Sequence, residues 1–358
     1  MPILWKYLLK GYFQFLFLCV SAFVAILLVI RFQEIALFAS SGAKLKYVVL
    51  FSLYQIPYIL PIALPISCLI ASMILFQRMS ASLELTALRA CGIGLKPLAY
   101  PLLWTAFFIS LINFYIASEI TPIARISAKN LIYEIVSDNP LILMQKDSMI
   151  DLKALSFDLK HLDVNQKAEE VLCIVRQPSS ERIGILTAKE LFVDKDFIYG
   201  NSLSILSSAD SSFPGYDHLV IENQKSMQMD KSGISTYLLN AEWFAKEDLL
   251  SFHQIIAKCY KETSLKSLVE ILRRFCLGFC PITFTLIGIA FGTNISRRKK
   301  KHAVLYAFAL AFFVMICFIA TKALQKSILF SFLFYLIPQP IAALISLRSL
   351  SLSSKGVE

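Results

Sequence analysis

Apolar residues run without a charge over six stretches of the chain: Gly11 to Ile30 (20 residues), Tyr47 to Gln77 (31), Pro97 to Ser118 (22), Phe275 to Ser296 (22), Ala303 to Thr321 (19) and Ser327 to Leu347 (21). A helix of about 20 apolar residues crosses about 30 Å of hydrocarbon, so the pattern predicts six transmembrane helices. The first run is too long for the apolar region of a signal peptide and no small-x-small site follows it, so an uncleaved anchor is expected. The second run exceeds one upright span. Pro57, Pro61 and Pro65 lie four apart on one helix face within it, and each removes a backbone donor. A kinked, tilted or extended helix is expected there.

Between the third and fourth runs the pattern changes. Glu119–Val136 reads as helix. From Pro140 onward the chain offers short β-branched stretches bounded by turn residues: Val171–Gln177, Arg182–Val193, Asp196–Gly200, Ser202–Ser208 and His218–Gln224. Pro178-Ser179-Ser180, Tyr199-Gly200-Asn201 and the Ser207–Gly215 stretch read as the breaks. Helix returns near Glu247 and leads through Arg273 and Arg274 into the fourth span. The expected architecture is an α-helical membrane protein with six transmembrane helices plus an inserted extracytoplasmic β jelly-roll-like domain. Residues 1–118 form the first three spans, 119–274 the inserted domain (β core about 140–240), and 275–358 the last three spans and a tail.

Composition agrees: 57% of residues are apolar and 17% charged, against about 45–50% and about 25% in soluble domains. The net charge of +10 is unevenly placed. Of the 25 acidic residues, 21 lie between Thr121 and Arg274, beside 18 Lys and Arg. The basic excess therefore belongs to the apolar segments and reads as flanking charge rather than a nucleic-acid surface. With the N-terminus inside, the inside segments hold twelve Lys and Arg, five of them in the run Arg297–His302, and the short outside loops five. Both termini are thus expected in the cytoplasm, with residues 119–274 exported. The eight cysteines form no metal or disulfide pattern, the histidines are scattered, and no cofactor is expected.

One cytoplasmic segment is a candidate for work. In Arg78–Pro97, Ser80 or Ser82 can cap a helix whose first turn holds Glu84. Leu85, Leu88 and Cys91 share a face, and Gly92, Gly94 and Pro97 end the element. A surface helix of about 10–12 residues within 80–92 is expected, either resting in the headgroups or gripped by a partner.

This segment, SLELTALRACGIG, resembles the coupling segment of the LptF/LptG (YjgP/YjgQ) permeases of the lipopolysaccharide export transporter. Glu84, Leu85, Arg89, Ala90, Cys91 and Gly92 match, while Leu83 intervenes between Ser82 and Glu84. Arg273–Gly292 is similar to the family's fourth span, and the order of three spans, β domain and three spans agrees throughout. The resemblance implies a homologous permease partner, an LptB-like cytoplasmic ATPase dimer, LptC/LptA-like periplasmic bridge proteins, and lipopolysaccharide carried out of the inner membrane among its other lipids. It leaves open whether the chain is LptF or LptG. It implies ATPase docking by Glu84, Leu85, Leu88, Arg89 and Gly92. Substrate contact is implied for Arg31, with Glu34 three residues on as its pairing partner, and for Lys322 and Lys326. No G-x-x-x-x-G-K-[ST] run occurs, so ATP hydrolysis must come from another chain. The alternatives are a membrane scaffold or sensor with an exported domain and a docking helix, or a membrane enzyme acting on lipids.

Overall fold

A computed structural model describes residues 2–40, 45–138, 155–162, 167–176, 183–194, 197–208, 218–230, 249–262, 265–293, 302–323 and 328–355. The chain forms two compact units. One comprises Met1–Ile30, Leu53–Ile126 and Lys246–Glu358; the other comprises Arg31–Ser52 and Ser127–Ala245. The division at 126/127 and 245/246 differs from the expected 118/119 and 274/275, because the helices on both sides of the inserted segment extend beyond their apolar runs.

Among the described residues six helices are long and apolar enough to cross a membrane: Ile3–Ile30, Leu45–Ala81, Leu95–Ile132, Lys266–Gly292, Ala303–Thr321 and Phe330–Ser353. The elements carrying them are α1 (Pro2–Ile30), α3 (Leu45–Ala81), α5 (Leu95–Tyr115), α8 (Leu265–Gly292), α9 (Ala303–Ala323) and the pair α10 (Ile328–Leu336) and α11 (Pro338–Lys355). Shorter helices are α2 (Phe32–Ser40), α4 (Glu84–Ala90) and α7 (Phe252–Glu262); α5 passes through a π-helical turn, Ile116–Ile120, into α6 (Thr121–Asp138). About 67% of the apolar window is buried in both α3 and α8 but 11% in α1, so α3 and α8 form the centre of the helical unit and α1 its margin.

The prolines explain how that centre is cross-linked. A proline at position i leaves the carbonyl at i−4 without its helical donor. Pro61 frees Pro57 O, which accepts from Thr121 Oγ1 at 2.8 Å. Pro65 frees Pro61 O, and Pro281 frees Leu277 O; both accept from the same Asn113 amide nitrogen, at 3.3 and 2.9 Å. One buried side chain of α5 thus satisfies the helix breaks of two neighbours, as buried carbonyls require. Ser110 Oγ adds a bond to Gly278 O at 2.8 Å. The second run is indeed extended, to a 37-residue helix with its three prolines inside.

Glycine brings α3 and α8 together. A Cβ on Gly288 would lie 1.9 Å from Ser72 Oγ and 2.5 Å from Leu69 O, and one on Gly292 3.0 Å from Met73 O. Such small-x-x-x-small pairs let helix backbones approach closely in membranes. The fourth span also starts earlier than expected: Arg273 and Arg274 sit inside α8 rather than before it.

In the other unit the described strands form one antiparallel sheet in sequential order: β1 (Leu155–Leu162), β2 (Lys167–Arg176), β3 (Ile183–Asp194), β4 (Phe197–Ser208) and β5 (His218–Asp230). A second sheet facing it, as in a jelly roll, does not occur among the described residues. The expected break at Tyr199-Gly200-Asn201 is a correction: these residues pair with Phe192, Leu191 and Glu190 of β3 inside a continuous β4. Gly200 serves packing, since a Cβ there would lie 2.9 Å from both Leu191 and Leu203. Val171, Ala188 and Leu203 are cross-strand neighbours, and with Leu191 they are buried. In the same unit Phe38 stacks on Phe51 at 4.5 Å, and Tyr47 donates to Glu134 at 3.3 Å. The expected turns at Pro178–Ser180 and most of Ser207–Gly215 lie outside the described residues, as do Arg297 to Lys301.

Candidate docking site

The segment joining α3 to α5 is built almost wholly from backbone geometry. Ser82 N donates to Arg78 O at 2.9 Å and Leu83 N to Ser80 O at 3.2 Å, tightening the last turn of α3. Leu83 then takes a left-handed conformation, φ 61°, which costs a non-glycine residue about 1–2 kcal/mol. This reversal starts α4, a helix of 7 residues with Leu83 at its N-cap and no side-chain cap. The expected Ser80 or Ser82 cap is therefore a correction: Ser80 lies within α3, and the Ser82 hydroxyl turns to Glu84. The helix is also shorter than the expected 10–12 residues, because α3 runs to Ala81.

At the other end, Gly92 N donates to Arg89 O at 2.9 Å and Ile93 N to Leu88 O at 3.0 Å. With Gly92 at φ +80°, these two bonds make a Schellman stop. Pro97 lies in the first turn of α5, where its missing N–H costs no helical bond.

Burial sorts the predicted docking residues. Leu85 is 1% exposed and packs into a cluster with Leu8, Tyr12, Met79, Leu95, Leu98 and Leu350. It is an anchor of α4, and burial of a leucine contributes about 1.5–3 kcal/mol. Leu88 is half-buried against the same cluster. Cys91 is exposed, so the three do not present one common face. Thr86, Ala87, Ala90 and Gly92 are exposed, while Glu84 and Arg89 are half-buried. The Glu84 carboxylate accepts from Ser82 Oγ at 2.9 Å and from Tyr7 OH at 3.2 and 3.3 Å.

The predicted substrate residues are spread between the units. Arg31 is the single-residue break between α1 and α2, half-buried, with its carbonyl accepting from Ile35 N at 3.2 Å. Glu34 lies in α2 and Lys322 in the last turn of α9, but their side chains, and all of Lys326, lie outside the described residues. Within the helical unit an apolar groove of about 350 Å³ lies between α3, α8 and α9, lined by Ile66, Leu69, Phe284, Leu305, Phe308 and Met315 among others. Its apolar lining suits hydrocarbon. Among the described residues no cluster of His, Cys, Asp and Glu could hold a metal.

Two constellations were missed at the sequence level. Asn113 is one; an asparagine in the middle of an apolar run is the signal that finds it. The other is Glu270 with Arg273 and Arg274. Arg274 is 1% exposed and donates to Glu270 at 3.0 Å, to Ser118 O in the π turn at 2.9 Å and to Leu250 O at 2.7 Å. Arg273 holds the same carboxylate through two nitrogens. The signal is the E-x-x-R-R spacing, which puts both cations one helical turn from the carboxylate.

Comparison with known proteins agrees with this layout. An uncharacterised protein of Rickettsia prowazekii (strain Madrid E), RP871, is 24% identical over 159 residues, 44% of this chain. The match spans 42% of that relative's length, less than half of it. The family described as lipopolysaccharide export system permease LptF/LptG matches residues 6–351, nearly the whole chain. With six apolar helices and an inserted antiparallel sheet unit, the chain belongs to the LptF/LptG family of lipopolysaccharide export permeases.

Proposed function

We propose that the chain is one member of an LptF/LptG permease pair in the bacterial inner membrane, with its termini and α4 in the cytoplasm and the sheet unit in the periplasm. An LptB-like ATPase dimer docks one subunit on α4. Its nucleotide-driven closure moves α4, narrows the cavity between the two permeases and passes lipopolysaccharide toward an LptC/LptA-like bridge. The observation that carries this reading is the anchoring of Leu85 at 1% exposure in a core shared with α1, α3 and α5. A helix pinned in that way transmits a push at its outer face to the bundle instead of sliding over it.

The contact face then consists of Glu84, Arg89 and the small exposed residues Ala87, Ala90 and Gly92, with Leu85 and Leu88 holding α4 in place. The positive charge of the apolar segments supports the orientation. Acyl chains fit the apolar groove beside α9, and cations suit lipid A phosphates. Arg31, with Glu34 near it in sequence, and Lys322 and Lys326 are the proposed contacts. Replacement of Glu84 by Ala or Lys tests the docking: the ATPase is expected to associate measurably more weakly with the purified complex, and undiminished association would refute the role.

A further inference from the structure

The Glu84 carboxylate is held by two hydroxyls of different standing. Ser82 Oγ lies 2.9 Å from Glu84 Oε1, but also 3.0 Å from Arg78 O and 3.3 Å from Met79 O. A serine has one proton to donate, so it serves one of these acceptors at a time. Both hydrogen-bond contacts of the Tyr7 hydroxyl, at 3.2 and 3.3 Å, go to Glu84, from 77 residues away. Unlike Ser82, Tyr7 therefore does not divide its proton between Glu84 and the carbonyls of α3.

Its position in α1 matters. Leu8, Tyr12, Leu16 and Cys19 are buried, at spacings that form one helix face. From Val20 to Ile30 no residue of α1 is buried. Tyr7 lies beside the first residue of that buried stripe, 51% exposed, and its phenol leaves α1 to reach the docking segment. On the other side, Leu83 keeps a left-handed conformation that turns Glu84 away from the axis of α3. A carboxylate has about four acceptor sites, and two hydroxyl protons leave room for a donor from a partner.

We propose that Tyr7 is a positioning residue for Glu84. It fixes the carboxylate in the orientation that meets a cationic or N–H donor group of the ATPase, and it ties the buried half of α1 to α4. This rests on the docking reading above. Holding the side chain before the partner arrives removes the ordering cost from the binding step.

The test is a double-mutant cycle on affinity for the co-expressed ATPase subunit, measured on the purified membrane complex. Y7F keeps the ring and removes only the hydroxyl. It is expected to weaken ATPase binding about three- to tenfold, the range of one hydrogen bond. In the E84A background Y7F is expected to have no further effect, because the two residues act through one interaction. S82A is expected to cost less than Y7F, since its proton is divided among three acceptors. Unchanged affinity of Y7F, an equal loss in the E84A background, or a larger loss from S82A would each overturn the assignment while leaving Glu84 docking intact. If E84A itself binds the ATPase normally, the docking reading falls and this inference with it.

Discussion

Gly288→Ala tests the physical basis of the bundle. The added methyl would stand 1.9 Å from Ser72 Oγ, 2.5 Å from Leu69 O and 3.1 Å from Met73 N. Ser72 can rotate away, giving up its bonds to Cys68 O and Leu69 O at 2.8 and 3.0 Å. Leu69 O belongs to the backbone of α3 and cannot. A relaxed carbon–oxygen contact needs about 3.3 Å, so α3 and α8 must part by roughly 0.8 Å, the difference from 2.5 Å. Because Gly292 makes a second close approach to Met73 O at 3.0 Å, the separation loosens packing along that stretch. Overpacking of this kind costs about 1–3 kcal/mol. Detergent-micelle unfolding by a denaturing surfactant, followed by circular dichroism, reads the loss directly. Ser72→Ala in the same chain is expected to recover only part of it, because the backbone clash remains. A Gly288→Ala protein as stable as the parent would refute the close α3–α8 contact.

Glu270→Ala leaves Arg274 charged at 1% exposure with its carboxylate gone. A loss of about 3–5 kcal/mol is expected, and Arg274→Met added to it should restore part of the stability in the same assay. Asn113→Leu removes the donor to Pro61 O and Leu277 O; an orphaned buried carbonyl costs about 1–3 kcal/mol, visible as a lowered unfolding midpoint, and an unchanged midpoint would argue against the cross-link. Leu83→Gly relieves the φ of 61°, worth about 1–2 kcal/mol, against about 0.5–1 kcal/mol of added chain entropy. A net gain of roughly 0.5–1 kcal/mol in the midpoint-derived stability is expected.

The six spans were legible because the bilayer sets a length that only long apolar runs meet. What the runs concealed were polar groups satisfied within them. Arg273 and Arg274 read as the edge of a span, yet both pair with Glu270 one turn earlier inside α8. The prolines of α3 marked a bend, but the donors that satisfy the carbonyls freed by Pro61 and Pro65 come from Thr121 and Asn113, more than 45 residues away in sequence. Nothing local announces such a pairing. Gly200 read as a turn because glycine commonly serves one; here the close approach of Leu191 and Leu203 demands it. At the docking segment, residue types identified the element, while its true start depended on how far α3 runs. The exposed side of α4 followed from tertiary packing of Leu85 and not from its spacing with Leu88.

The most direct test of the account is sidedness. Cys91 is exposed in the turn after α4, and Glu222 is exposed on β5. In two chains whose sole cysteine is Cys91 or the product of Glu222→Cys, a membrane-impermeant maleimide is added to cells with a permeabilised outer membrane. The account predicts labelling at position 222 and none at Cys91 until the inner membrane is opened; labelling of Cys91 from outside with protection of position 222 would contradict it.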